Sequence, residues 1–287
     1  MEGRKEHDRR HTNIERSTQM ERDLFSAAFV PKWGDQLEYL ANLALTEPWK
    51  FRRPVFQRKY ADFIVLERYI NNIFSAQVIA HQHAASLEEA DAQFLITDGY
   101  ACFHTGLLSK RYKEIYGYLE KNRNEWAEQP YVLRGFMDDS HPFLKKIETL
   151  PKKPLSDLQL EGIGFKPDWL IRVNVGHILD DPANFERIPE HIRQFPNLPL
   201  LLQTSVETLR LTAEIMPSIV VPQLYSGAIQ FLIPICLTDP NKPDLAMTIE
   251  RMDGYYIGNT CLTLEMAYSN ARLLAIPTAP WLTALVE

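Results

Sequence analysis

Residues 245–275, LAMTIERMDGYYIGNTCLTLEMAYSNARLLA, constrain the fold more than any other part of this chain. Leu245, Met247 and Ile249 alternate with Ala246, Thr248 and Glu250, the period of a strand with two unlike faces. Asp253-Gly254 is a residue pair that suits a type I′ turn, so an antiparallel strand should return over 255–262. Thr263 then stands where a hydroxyl accepts a first-turn amide, and Leu264, Ala267, Tyr268, Ala271 and Leu274 share one face of a helix. The same short unit carries Arg251, Tyr256, Asn259, Thr260, Asn270 and Arg272, a heavy polar load for a segment that belongs in a core.

Upstream, the pattern is helix, short strands, helix, strands. Leu37, Leu40, Ala41, Ala44 and Leu45 give a helix over 36–45, which Glu47-Pro48 ends. Phe63, Leu66, Ile70, Ile73, Phe74, Gln77 and Val78 give a longer one over 61–80. Asp98-Gly99 turns a hairpin within 94–103. Further strands are expected over 132–137, 169–175, 220–225 and 228–237, and a helix over 199–215. Pro234 places its strand at an edge or a bulge. Hairpins outnumber βαβ units, which predicts an α+β fold with a mainly antiparallel or mixed sheet, packed helices and the closing strand-turn-strand-helix unit. Apolar content does not fall across the proline- and glycine-rich 140–170 stretch. A single globular domain over 23–287 is therefore expected, after a mobile charged tail over 1–22.

Composition excludes more than it assigns. A net charge of −6 and a pI near 5.8 give no whole-surface attraction to nucleic acid or anionic membrane. No apolar run approaches the roughly 20 residues of a membrane span, and the charged N-terminus lacks the apolar core of a signal peptide. A cytoplasmic protein with no membrane partner is the expectation. Cys102, Cys236 and Cys261 are far apart and form no CxxC pair, so they read as reduced core thiols rather than zinc ligands. Gly162 and Gly164 lack the third glycine of a dinucleotide loop, and no P-loop, GxSxG or HExxH occurs. No cofactor and no metal are expected.

The candidates that remain are local. Asp138 and Asp139 beside His141 suit a turn, with a metal-dependent hydrolase as the sharper alternative. A strand running into His104-Thr105-Gly106 presents a ring, a hydroxyl and backbone amides suited to a phosphate or an acyl oxygen. Arg172 and Asn174, two apart on a strand, share a face, and His177 follows. Arg251 and Arg272 either lock onto Glu265 as ion pairs or form two prongs of an anion site.

Several segments together resemble a family of uncharacterised proteins, domain of unknown function 3825. They are Leu40-Ala41 with Pro48-Trp49, FHTGLLS from Phe103, RVNVGHIL from Arg172, VVPQLYSGAIQFLIPICL from Val220, and the run from Arg251 through Leu273. The likeness spans about residues 23–285. It implies an intracellular bacterial or fungal protein whose relatives accompany small RNA-binding modules, and it supplies no reaction. It also implies Asn where His104 stands, which turns attention from His104 to Thr105 and Gly106.

The expectation is a domain that binds, and in one version processes, a phosphate-bearing ligand such as RNA or a nucleotide. Its ligand-binding residues would be Thr105, Gly106, Arg172, Asn174, Gln230, Arg251, Tyr256, Asn270 and Arg272 on one sheet face, with His177 as acid or base. The alternative is a non-catalytic interaction or oligomerisation module, a homo-oligomer included.

Overall fold

The computed structural model describes residues 20–52, 61–124, 126–154, 164–225 and 228–287. Most of the charged tail and the Gly162 half of the glycine pair lie outside them. The chain divides into two compact units. One is Met1–Lys50 with Phe56–Leu158, the other Phe51–Val55 with Gln159–Glu287. One of the boundaries between them, after Leu158, falls within the 140–170 stretch. The fold is α+β, with one mixed five-stranded sheet in each unit.

The sheet of the first unit has the order β1 (Ala28–Phe29), β5 (Tyr131–Asp138), β4 (Glu114–Lys121), β3 (Tyr100–Leu108), β2 (Leu95–Ile96). Only β1 runs parallel to its neighbour. The helix Ile64–His83 packs on β3 and buries Leu66, Ile70, Ile73, Phe74 and Val78, as their spacing dictates. Phe74, Phe94, Phe103 and Phe136 join edge-on or stacked at 5.3–6.4 Å between ring centres. Gly117 sits opposite Phe103 because a side chain there would overlap the ring, a Cβ falling 2.2 Å from it.

The second sheet has the order β6 (Leu170–Val173), β10 (Tyr255–Leu262), β9 (Leu245–Arg251), β8 (Ala228–Ile235), β7 (Val221–Tyr225). β6 is parallel to β10 and the other pairs are antiparallel. The helix Leu198–Ile215 covers one face, burying Leu202, Val206, Leu209 and Ala213 against Phe231, Ile233, Met247 and Ile249. The helix Leu264–Arg272 packs chiefly against β7.

Two local expectations are corrected. The turn at Asp253-Gly254 is not type I′, because only Gly254 takes positive φ, at 81°. β8 is an internal strand, not an edge. β7 ends at Val221 opposite Leu232, so Pro234 lies past β7 and meets a strand on one side only, where its missing N–H is tolerated. Thr263 caps its helix as its position requires, its hydroxyl accepting from Met266 N at 3.3 Å. Thr263→Ala should lower the unfolding free energy by about 1 kcal/mol in chemical denaturation.

Candidate functional site

Partner residues in register share a face of a sheet, so pairing shows which side chains of the second unit meet. Gln223 pairs with Gln230, Phe231 with Ile249, Glu250 with Ile257, and Ile257 with Arg172. One row therefore crosses all five strands: Gln223, Gln230, Glu250, Ile257, Arg172. The end of the row at Arg172 and Glu250 is exposed, and Gln223 is fully buried.

Hydrogen bonds link most of the row. Asn270 Nδ2, on the covering helix, donates to Gln223 Oε1 at 3.0 Å. Gln223 Nε2 donates to Gln230 Oε1 at 2.9 Å, and Gln230 Nε2 to Glu250 Oε1 at 3.1 Å. A carboxylate only accepts, so Glu250 fixes which way Gln230 turns, and each amide then fixes the next. At the other end of the row the Arg172 guanidinium lies 4.3 Å from the centre of the Tyr255 ring. Two strand spacings, about 10 Å, separate the Arg172 and Glu250 backbones.

Three of the expected ligand residues, Arg172, Gln230 and Asn270, thus belong to one arrangement. Gln223, Glu250 and Tyr255 complete it. Gln223 and Gln230 are symmetrically placed in the sequence about residues 226–227, a signal the sequence carried; Glu250 showed only as the polar member of an alternating strand.

The others sit elsewhere. Tyr256 and Arg251 pair with each other on the opposite face. Tyr256 is buried among Phe165, Trp169 and Phe231, and its hydroxyl accepts from Lys166 N at 2.8 Å. Arg251 lies over the Trp169 ring, 5.1 Å from its centre, with Lys166 4.5 Å from the same centre. Arg272 is buried and engaged. Neither arginine pairs with Glu265: its carboxylate has no ion pair among the described residues. The register explains the Arg251 case. Leu262 faces Ala246 at one end of β9 and Tyr256 faces Arg251 at the other, roughly 17 Å away. Asn174 has left the strand, and its Oδ1 accepts from His177 N at 3.3 Å as the cap of the helix Val175–Asp180. His177 is exposed on that helix.

Thr105 and Gly106 lie in the first unit on β3, where both are committed to the backbone of β3 and β4. The Thr105 hydroxyl is buried, donating to Ile115 O at 2.7 Å and accepting from Leu107 N at 3.2 Å. Gly106 has φ 75°, and a Cβ there would fall 2.4 Å from the Tyr69 hydroxyl. The buried Gln77 amide spans the irregular section, donating to His104 O at 2.7 Å and accepting from His104 N at 3.1 Å. His104 Nδ1 accepts from Gly106 N at 2.8 Å, a bond an asparagine oxygen can equally accept.

With Nδ1 accepting, the His104 proton resides on Nε2, which faces Glu114 Oε1 at 3.5 Å. Burial lowers the His104 pKa from its ordinary 6.5, with Glu114 pulling it back up. The unfolded chain therefore takes up this proton first. The stability linked to His104 is complete above about pH 6.5 and is lost as pH falls toward the folded pKa. Denaturation at pH 7.5 and 5.5 should show a smaller acid loss in His104→Asn than in the parent.

Asp138 and Asp139 form a turn, Asp138 Oδ1 accepting from Ser140 N at 3.1 Å and from its hydroxyl. No group of three metal-ligating side chains occurs among the described residues. The three cysteines are free, and burial raises each thiol pKa, Cys236 to about 11 and Cys261 to about 12. None is a thiolate nucleophile at neutral pH.

The family model for Domain of unknown function (DUF3825) matches residues 40–281. The chain belongs to this family. Neither curated proteins nor solved structures give a match. The DUF3825 match covers the second sheet and all of the first except β1, so the polar row and the His104 turn are parts of the matched region. No helix among the described residues of this DUF3825 chain is long and apolar enough to cross a membrane.

Proposed function

We propose that the second unit binds a phosphate-bearing ligand, a nucleotide or single-stranded RNA, on the sheet face that carries the polar row. The observation behind this reading is the Arg172–Tyr255 stack at one end of a row whose other polar groups are oriented amides and a carboxylate. A guanidinium takes phosphate oxygens in a two-pronged pattern, and the Arg–Tyr surface offers a plane for a base. Glu250 accepts from a base amino group or a ribose hydroxyl, as carboxylates do at base edges. The span of about 10 Å suits the distance from a base edge to its phosphate. His177, exposed one helical turn beyond Asn174, is the acid or base available if the ligand is processed.

Titration of the full chain with 5′-nucleotides and with a fluorescent single-stranded RNA tests this reading. Affinity should fall as salt rises, and Arg172→Ala should weaken it about tenfold or more, the worth of a charge-assisted hydrogen bond. Because Arg172 is exposed, the variant should fold as the parent does. Absence of binding by any of these anions removes the proposal and leaves the interaction module, to be sought by measuring the mass of the particle in solution.

A further inference from the structure

The second unit also holds a cavity of about 850 Å³, built from the opposite end of β8, the 240–243 turn, the start of the helix Leu264–Arg272 and the C-terminal helix Pro280–Thr283. It shares no lining residue with the polar row. Its walls are mostly apolar, with Phe51, Met216, Ile219, Leu264 and Trp281 among them. That volume lies in the range of sites for drug-sized molecules, roughly 300–1,000 Å³.

The walls are held in place. Phe51 meets Tyr268 edge-on at 5.8 Å between ring centres, and Trp281 Nε1 donates to Ile219 O at 2.9 Å. Arg52 is anchored twice to the C-terminal backbone, its N donating to Leu285 O at 2.8 Å and its Nε to Val286 O at 2.9 Å. Its two terminal guanidinium nitrogens hold no hydrogen bond among the described residues, and Arg52 lines the cavity. Lys242 also lines it, on a turn closed by its amide bonding to Asp239 O at 3.1 Å. Among the described residues Arg52, Lys242 and Glu265 are the charged lining groups, and none is in an ion pair there.

We propose that this cavity binds an amphipathic monocarboxylate, an acid with an apolar body of aliphatic or aromatic carbon. Among the described residues two cations and one acid line the cavity, a net charge of +1 that one carboxylate balances. A nucleotide brings two or more negative charges and a polar sugar, and it matches neither the charge nor the apolar walls. The carboxylate meets the anchored Arg52 fork and Lys242, while the carbon body displaces water from Phe51, Ile219 and Trp281.

Cys236 lines the same cavity and is the only one of the three thiols that is not buried, so it reports occupancy. Decanoate, below its micellar concentration, is the probe. It should raise the melting temperature of the full chain and slow disulfide-exchange labelling of Cys236, read at pH 8.5 by peptide mass, by about tenfold at saturation. Decyltrimethylammonium should do neither. Lys242→Gln makes the cleanest variant, because the Lys242 side chain holds no hydrogen bond or ion pair among the described residues, and it should weaken decanoate about tenfold. Ala284→Trp, which fills the mouth, should abolish protection. Equal protection by the acid and the ammonium overturns the proposal, as does decanoate binding that leaves Cys236 unprotected. So does decanoate without any effect on melting or labelling. Arg172→Ala should leave decanoate binding intact, which separates this site from the polar row.

Discussion

Phe103→Ala should lower the unfolding free energy by about 3–5 kcal/mol, the cost of deleting a fully buried aromatic ring. Phe103 touches rings on three sides: Phe74 from the long helix, Phe94 before β2 and Phe136 on β5. No backbone shift collapses all three walls at once, so a cavity persists and its lining loses its contacts. The fourth side is Gly117, where the Cβ added by Gly117→Ala would intrude into the ring. That variant should cost about 1–3 kcal/mol through overpacking rather than a void. Combining the two changes relieves the overlap, so the double variant should be less destabilised than the sum. Chemical denaturation gives the magnitudes, and hydrogen exchange should place the loss in β3, β4 and β5. A Phe103→Ala protein as stable as the parent would remove this account of the first core.

Tyr256→Ala should cost the second unit a similar amount, about 3–5 kcal/mol, whereas Tyr256→Phe should cost about 1 kcal/mol. The ring supplies most of the effect, packed against Phe165, Trp169 and Phe231. Its hydroxyl supplies the rest by accepting the Lys166 amide, which Tyr256→Phe would leave unpaired. Neither contact belongs to the face with Arg172. Tyr256→Phe should therefore leave nucleotide or RNA affinity within about twofold of the parent, while Arg172→Ala does not. A loss of affinity in Tyr256→Phe matching that of Arg172→Ala would return Tyr256 to the ligand set.

The two tyrosines show how far the sequence could be read. Tyr255 and Tyr256 are adjacent on a strand, so they must face opposite ways, and alternation alone tells this much. Which of them faces the core depends on what covers each side. Tyr256 pairs with Ile171 and lies on the face beneath Leu198–Ile215; Tyr255 lies on the face with Arg172. The polar positions were legible as a group, and their division between two faces was not.

The cassette at 245–275 illustrates both halves of the matter. Its own residues determine two strands, a turn and a capped helix, because alternation, Gly254 and Thr263 act over a few residues each. Tertiary structure alone decided its neighbours. β10 takes β6 as a parallel partner from far upstream, and the helix Leu264–Arg272 packs chiefly against β7. Those pairings bring Arg172 into a row with Glu250, set Asn270 on Gln223, and leave Arg251 and Glu265 at opposite ends of the sheet. Local propensity and periodicity are properties of short windows, whereas a site is made by register and covering between strands far apart in the chain.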